Sequence, residues 1–156
     1  MNDFIILKSL EELDDESKML LEKALGVLQH AYAPYSNFRV ASAVLLADGS
    51  IVTGTNQENA AYPSGMCAER VALYTVASLH PGIAIKKLLV IAKSGALTTL
   101  SPATSCGPCR QVMLEFEQRQ KHPFEVVMQN QVRQWVKSPS AESLLPFCFT
   151  RASLQS

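Results

Sequence analysis

The sequence predicts an α/β fold in which a sheet of about five strands is flanked by helices. Three observations carry this. The residue patterns run helix, hairpin, helix, strand, helix, strand, strand, an order that packs helices in layers on a sheet. The run "KKLLVIAK" (86–93) is apolar without alternation, which suits a strand covered on both faces. Two of the helices each follow strand material, and each opens on a cysteine-bearing segment, "MCAER" and "CGPCRQ".

Taken in order, residues from about 12 to 32 read as one helix. Leu20, Leu21, Ala24, Leu25, Leu28, Ala31 and Tyr32 fall on one stripe, and acids crowd the first turn, where the helix dipole favours them. "APYSN" breaks it. "FRVASAVLLADGSIVTGTN" (38–56) holds two β-type runs around Asp48-Gly49, a hairpin signal. "AYPSG" is a second break, and "MCAERVALYTVASLH" (66–80) fits a helix ending before Pro81-Gly82. After "KKLLVIAK", a turn-rich loop, "SGALTTLSPATS", leads to a third helix from about 107 to 120. "FEVVMQ" and "VRQWV" complete the strands, and "SAESLL" is a last helical turn or two. No repeat, low-complexity segment or long linker divides the chain, so a single domain over 1–156 is expected.

Composition narrows the function. The chain has 156 residues, 47% of them hydrophobic, enough for a core. Lys plus Arg and Asp plus Glu are equal at 14 each, without the basic excess that long nucleic acids select. No apolar run reaches the length of a membrane span. The N-terminus turns acidic where a signal peptide needs an apolar stretch. A cytoplasmic location is therefore expected, where four cysteines point to metal or catalysis rather than disulfides.

Cys106-Gly107-Pro108-Cys109 has the spacing of a redox dithiol and equally that of half a zinc site. Cys67-Ala68-Glu69 decides between them. Three thiolates from two helix starts fill three corners of a tetrahedral zinc and leave the fourth for water, as catalytic sites do. A helix N-terminus favours the thiolate, and off that end Cys67 and Glu69 can reach one point. A redox site needs neither a third cysteine nor an acid, and the one tryptophan, Trp135, stands far from the dithiol in sequence.

"AYAPYSNFRV" (31–40), "GTNQENAAYPSG" (54–65), "CAERVAL" (67–73), "CGPCRQVMLEF" (106–116) and "LLPFCF" (144–149) resemble, in order, successive blocks of the cytidine deaminase family. Cysteine at 67, where the polynucleotide and nucleotide enzymes have histidine, resembles the compact free-nucleoside branch. The resemblance implies a three-layer fold with a mixed sheet, and one Zn²⁺ per chain on Cys67, Cys106 and Cys109. The reaction implied is hydrolytic deamination of cytidine and deoxycytidine to uridine and deoxyuridine, in pyrimidine salvage. Glu69 is then the proton shuttle, taking a proton from the zinc-bound water and delivering protons to ring N3 and the leaving amine.

Three thiolates and Zn²⁺ sum to −1, which a nearby cation should offset. Arg70 is the first candidate and Arg110 the second. The resemblance further implies that Asn56 and Glu58, read as i and i+2 on a strand, hold the sugar, and that Phe38 lies against the pyrimidine. Ala68 offers its backbone to the base, and Phe149 covers a neighbour's pocket in a homotetramer. Two departures stand out: Ser105 replaces the family's usual proline, and bulky Phe147 replaces a small residue. Cys148 reads as a small buried hydrophobe. Rival readings are a deaminase of another base or of a nucleoside antibiotic, a catalytically silent zinc module, and a redox protein.

Overall fold

The computed structural model describes residues 4–95 and 97–155. Positions 1–3, 96 and 156 of the domain expected over 1–156 lie outside the described residues. The strands are β1 (Ile5–Leu7), β2 (Phe38–Leu46), β3 (Ile51–Thr55), β4 (Ile85–Ser94), β5 (Glu125–Gln129) and β6 (Trp135–Ser138). The helices are α1 (Asp15–Val27), α2 (Ala68–Leu79) and α3 (Gly107–Gln120). The strands form one mixed sheet of six in the order β1-β6-β5-β4-β2-β3, in which only β4 and β5 run parallel. The sixth strand is β1, three residues whose side chains are mostly exposed. It is too short and too open to write an alternating pattern.

Both faces of the sheet are covered, and alternation assigns each residue to its layer. Ala41, Ala43, Leu45, Leu89, Ile91, Val127 and Trp135 pack with Leu20, Leu21 and Ala24 of α1. Their neighbours Val44, Leu46, Leu88, Val90, Val126 and Val136 face Ala72 and Leu73 of α2 and Met113 and Phe116 of α3. The continuous apolar run in β4 follows from this, since neither of its faces meets water. The first helix is shorter than its stripe implies. Asp14 caps it, its Oδ1 accepting from the Ser17 N–H at 2.8 Å, and after Val27 the backbone tightens into a 3₁₀ turn over Leu28–His30. Leu25 and Tyr32, placed on the buried stripe by periodicity, are exposed.

The hairpin turns at Asp48-Gly49 as expected, with Gly49 at φ 86°. Gly54 in β3 has a different task. A Cβ built there meets the Ala68 carbonyl oxygen and the Ala72 nitrogen at 2.5 Å, so only glycine lets the first turns of α2 lie directly on the strand. The N-terminus of α1 is bolted to the sheet by charge. Lys87, its side chain 6% exposed, meets Asp14 at 2.7 Å and Glu125 at 3.0 Å, while Lys137 meets the same two carboxylates at 2.5 and 3.2 Å.

Candidate functional site

Two helix starts converge at the carboxyl ends of their feeding elements. Cys67 is the residue before α2 and Cys106 the residue before α3, both in extended backbone. Pro108 opens α3 where the missing N–H costs nothing, and Cys109 follows within the first turn. The sulfurs of Cys67 and Cys106 stand 3.8 Å apart, and those of Cys67, Cys106 and Cys109 all lie within 4.8 Å of one another. Zinc–thiolate bonds of about 2.3 Å in tetrahedral geometry separate adjacent sulfurs by about 3.8 Å. The donor set and its spacing fit zinc. None of His30, His80 and His122 belongs to the cluster.

Electrostatics agree with a cation-binding cluster. The Cys109 thiol donates toward Cys67 and, against the opposing effect of burial, draws the Cys67 thiol down to about 5, with Arg70 and Cys106 adding to the effect. Cys109 is pushed up, first by the Cys67 sulfur and then by burial. Cys67 and Cys109 thus compete for a proton that a metal ion would displace. Arg70 Nη2 donates to Cys67 Sγ at 3.6 Å. Its Nε is buried without a partner among the described residues. Arg110 is placed elsewhere, donating from Nε to the Ser105 carbonyl at 2.8 Å and from Nη1 to the Leu144 carbonyl at 3.2 Å. It ties the loop before α3 to the C-terminal segment.

Beside the cluster opens a cavity of about 760 Å³, within the range of small-molecule sites. Phe38, Asn56, Glu58, Cys67, Ala68, Glu69 and Cys106 all line it, so seven sequence positions spread over 69 residues meet there, and the third thiol, Cys109, lies within 4.8 Å of the other two sulfurs. Glu69 is only 4% exposed, and burial holds its carboxyl above the usual range. Asn56 and Glu58 are not on a strand, since β3 ends at Thr55; irregular backbone carries both to the cavity. Asn56 also staples β2, accepting from the Val40 N–H at 2.7 Å and donating to the Phe38 carbonyl at 2.9 Å. Glu58 accepts from the Tyr35 and Ser36 N–H groups at 2.9 and 3.2 Å and from the Ser36 hydroxyl. That hydroxyl is the chief cause of its lowered pKa.

Several lining residues escape sequence reasoning. Tyr35 and Tyr62 line the cavity and meet edge to face with ring centres 6.4 Å apart. Both sit in segments that read as helix and strand breaks, so their proline-rich neighbours were the signal. Gln131, from the turn between β5 and β6, has no local signal at all. Phe149 does not line the cavity of its own chain and is 58% exposed, its carbonyl accepting from Gln111 Nε2 at 2.8 Å. Phe147 is fully exposed with a left-handed backbone at φ 58°. Cys148 is half-buried rather than buried, because the C-terminal segment runs over the surface. Among the described residues, no helix is long and apolar enough to cross a membrane.

Comparison with known proteins agrees with this geometry. The model of the cytidine and deoxycytidylate deaminase zinc-binding region matches residues 14–124. The chain is 40% identical over 100 residues to a cytidine deaminase of Halalkalibacterium halodurans, covering 64% of this chain and 71% of that one. It is 37% identical over 140 residues to a probable cytidine deaminase of Dictyostelium discoideum, covering 90% and 88%. The crystal structure of cytidine deaminase from Burkholderia pseudomallei superposes with a TM-score of 0.70 at 37% identity, over 88% of this chain and all of that one. With its three-thiol centre, its buried Glu69 and a match running from Asp14 to Phe124, the chain belongs to the cytidine and deoxycytidylate deaminase family.

Proposed function

We propose that this protein is a zinc-dependent cytidine deaminase, converting cytidine and deoxycytidine to uridine and deoxyuridine by hydrolysis of the exocyclic C–N bond, in pyrimidine salvage. The observation that carries the reading is the position of Glu69, buried in the wall of an open cavity two residues from one cysteine of the cluster. Cys67, Cys106 and Cys109 hold the metal, one per chain, and Arg70 offsets the net charge of −1 that three thiolates leave. When bound, zinc supplies the Lewis acidity that makes water nucleophilic near neutral pH.

Glu69 carries the protons. Its carboxylate takes one from the attacking water as the C4–O bond forms and passes it to ring N3, then takes the second from the new C4 hydroxyl and passes it to the amine, so that the carbonyl forms as the C4–N bond breaks and ammonia departs. One group serves as base and then acid, which a carboxylate in a low-dielectric wall can do. Phe38 lies against the base and the Ala68 backbone holds its polar edge. Asn56 and Glu58 hold the sugar with the donor and acceptor capacity their structural bonds leave free. Phe149, exposed and outside its own cavity, covers the cavity of a second copy in a homotetramer. The whole chain acts as a single cytoplasmic domain on free nucleosides, with no long nucleic acid or membrane as partner.

The test is direct. Purified protein is incubated with cytidine and with deoxycytidine, and loss of cytosine absorbance is followed. Turnover of either supports the reading; inertness toward both, at one zinc per chain, overturns it.

A further inference from the structure

Ser105 immediately precedes the ligand Cys106 and is 2% exposed. Its carbonyl accepts from Arg110 Nε at 2.8 Å, so the backbone at this position is clamped. Its hydroxyl is buried with no hydrogen-bond partner among the described residues. Such a group is costly and rarely left so in a folded protein. Glu69 is the buried carboxylate of the same cluster: it is 4% exposed in the cavity wall, and a carboxylate has several lone pairs to offer a further donor. The two residues are brought together by their neighbours, since Cys67 and Cys106 touch at 3.8 Å and each lies within two positions of its own sulfur.

We propose that Ser105 is a positioning residue, donating its Oγ–H to the Glu69 carboxylate from behind the cavity wall and so fixing the oxygen that faces the substrate. The proton on a serine oxygen rotates freely and the partner is an anion, so a small χ rotation completes a charge-assisted bond. Ser105 does not line the cavity, whereas Pro102, Ala103, Thr104 and Cys106 around it do. It therefore touches Glu69 and not the nucleoside. A carboxylate that must accept a proton at one place and release it at two others gains from one fixed oxygen, because misplacement of a reacting group is paid in rate.

The catalytic consequence rests on the deaminase reading; the contact itself does not. The experiment combines both. Ser105→Ala is assayed for kcat and KM with cytidine, for zinc content, and for Tm in the wild-type and the Glu69→Ala backgrounds. The expected result is kcat about tenfold lower, KM within about twofold of wild type, and one zinc per chain. Tm falls by roughly 3 °C in the wild-type background and is unchanged with Glu69→Ala. A hydroxyl that is truly without a partner gives the opposite sign, since removing it leaves Tm unchanged or raises it, and that result overturns the proposal. An equal loss of Tm in both backgrounds also overturns it, as a packing effect independent of Glu69. A wild-type chain inert toward cytidine defeats the functional reading alone, because the Tm comparison needs no substrate and still decides the contact.

Discussion

The sulfurs of Cys67 and Cys106 lie 3.8 Å apart although 39 residues separate them in sequence, because each is the residue before a helix and the two helices share one face of the sheet. Ligands so placed are held by backbone geometry rather than by long flexible side chains. Cys106→Ala should therefore lose zinc and activity together, while Cys148→Ala, outside the cluster, should lose neither. Metal analysis of both purified variants checks this, and full zinc in the Cys106 variant contradicts the ligand assignment.

Glu69→Gln keeps the shape of the cavity wall but cannot carry protons. Zinc content and Tm should stay near wild type while kcat falls by ~10⁴ or more, the upper end for acid–base groups, since several transfers depend on this one residue. Steady-state kinetics with cytidine decide it, and near-normal turnover removes Glu69 from the mechanism.

Gly54 affects the metal from a distance. Any Cβ there presses on the Ala68 carbonyl and the Ala72 nitrogen, and the first turn of α2 must move away with Cys67 and Glu69 on it. Gly54→Ala should cost about 1–3 kcal/mol of stability and weaken zinc retention. Gly107→Ala, where a Cβ meets nothing within 4 Å, is the control. Equal metal content in the two variants at a fixed chelator concentration would show that α2 adjusts without moving its ligand.

Acid should loosen the α1 bolt. Burial raises the Asp14 pKa, but hydrogen bonds from Lys137 and Lys87 and from the Ser17 N–H outweigh it and hold the carboxyl well below the usual range. A depressed folded pKa means stability present above the unfolded value of about 3.9 and lost as pH falls below it toward the folded value. Asp14→Asn, which can still cap the helix, should be less stable than wild type at pH 7, and the gap should close below about pH 4. Urea midpoints at pH 7, 5 and 3 measure it; a gap that is constant with pH refutes the linkage.

Phe149→Ala should raise KM for cytidine severalfold without lowering Tm comparably, since the side chain is mostly exposed in its own subunit. Light scattering should give a tetramer for the wild type. An active monomer contradicts the shared-site reading and leaves the zinc chemistry intact.

Much of this was legible in the sequence because the chemistry is local. The bounds of α3 follow from Cys106-Gly107-Pro108 at its start, and the layered sheet follows from the unbroken apolar run of β4. What escaped depends on distance in sequence. The Asp14–Lys137 pair spans 123 residues, and no window along the chain shows that a helix cap and a strand lysine will meet. Asn56 and Glu58 reach the cavity by irregular backbone, which has no period to read. Ser105 announced itself only as a departure, and its burial with a hydroxyl unpaired among the described residues required the fold. Cys148 was misplaced because a cysteine amid phenylalanines resembles core, whereas the segment lies on the surface.

The sheet order also sets a timetable. Cys67 belongs to the hairpin of β2 and β3 with α2 resting on it, a unit of neighbouring segments whose loops are quick to close. Cys106 and Cys109 belong to the crossover from β4 through α3 to the parallel strand β5, and parallel pairing is a slow event that must close a long loop. During refolding, zinc at the CGPC turn alone would be held by two sulfurs, with the third arriving only when β5 docks. The expected kinetic trace has an early rise in β-sheet signal followed by a later uptake of metal, resolvable by stopped flow with a zinc-responsive dye. Simultaneous phases would mean that the metal itself draws the two halves together.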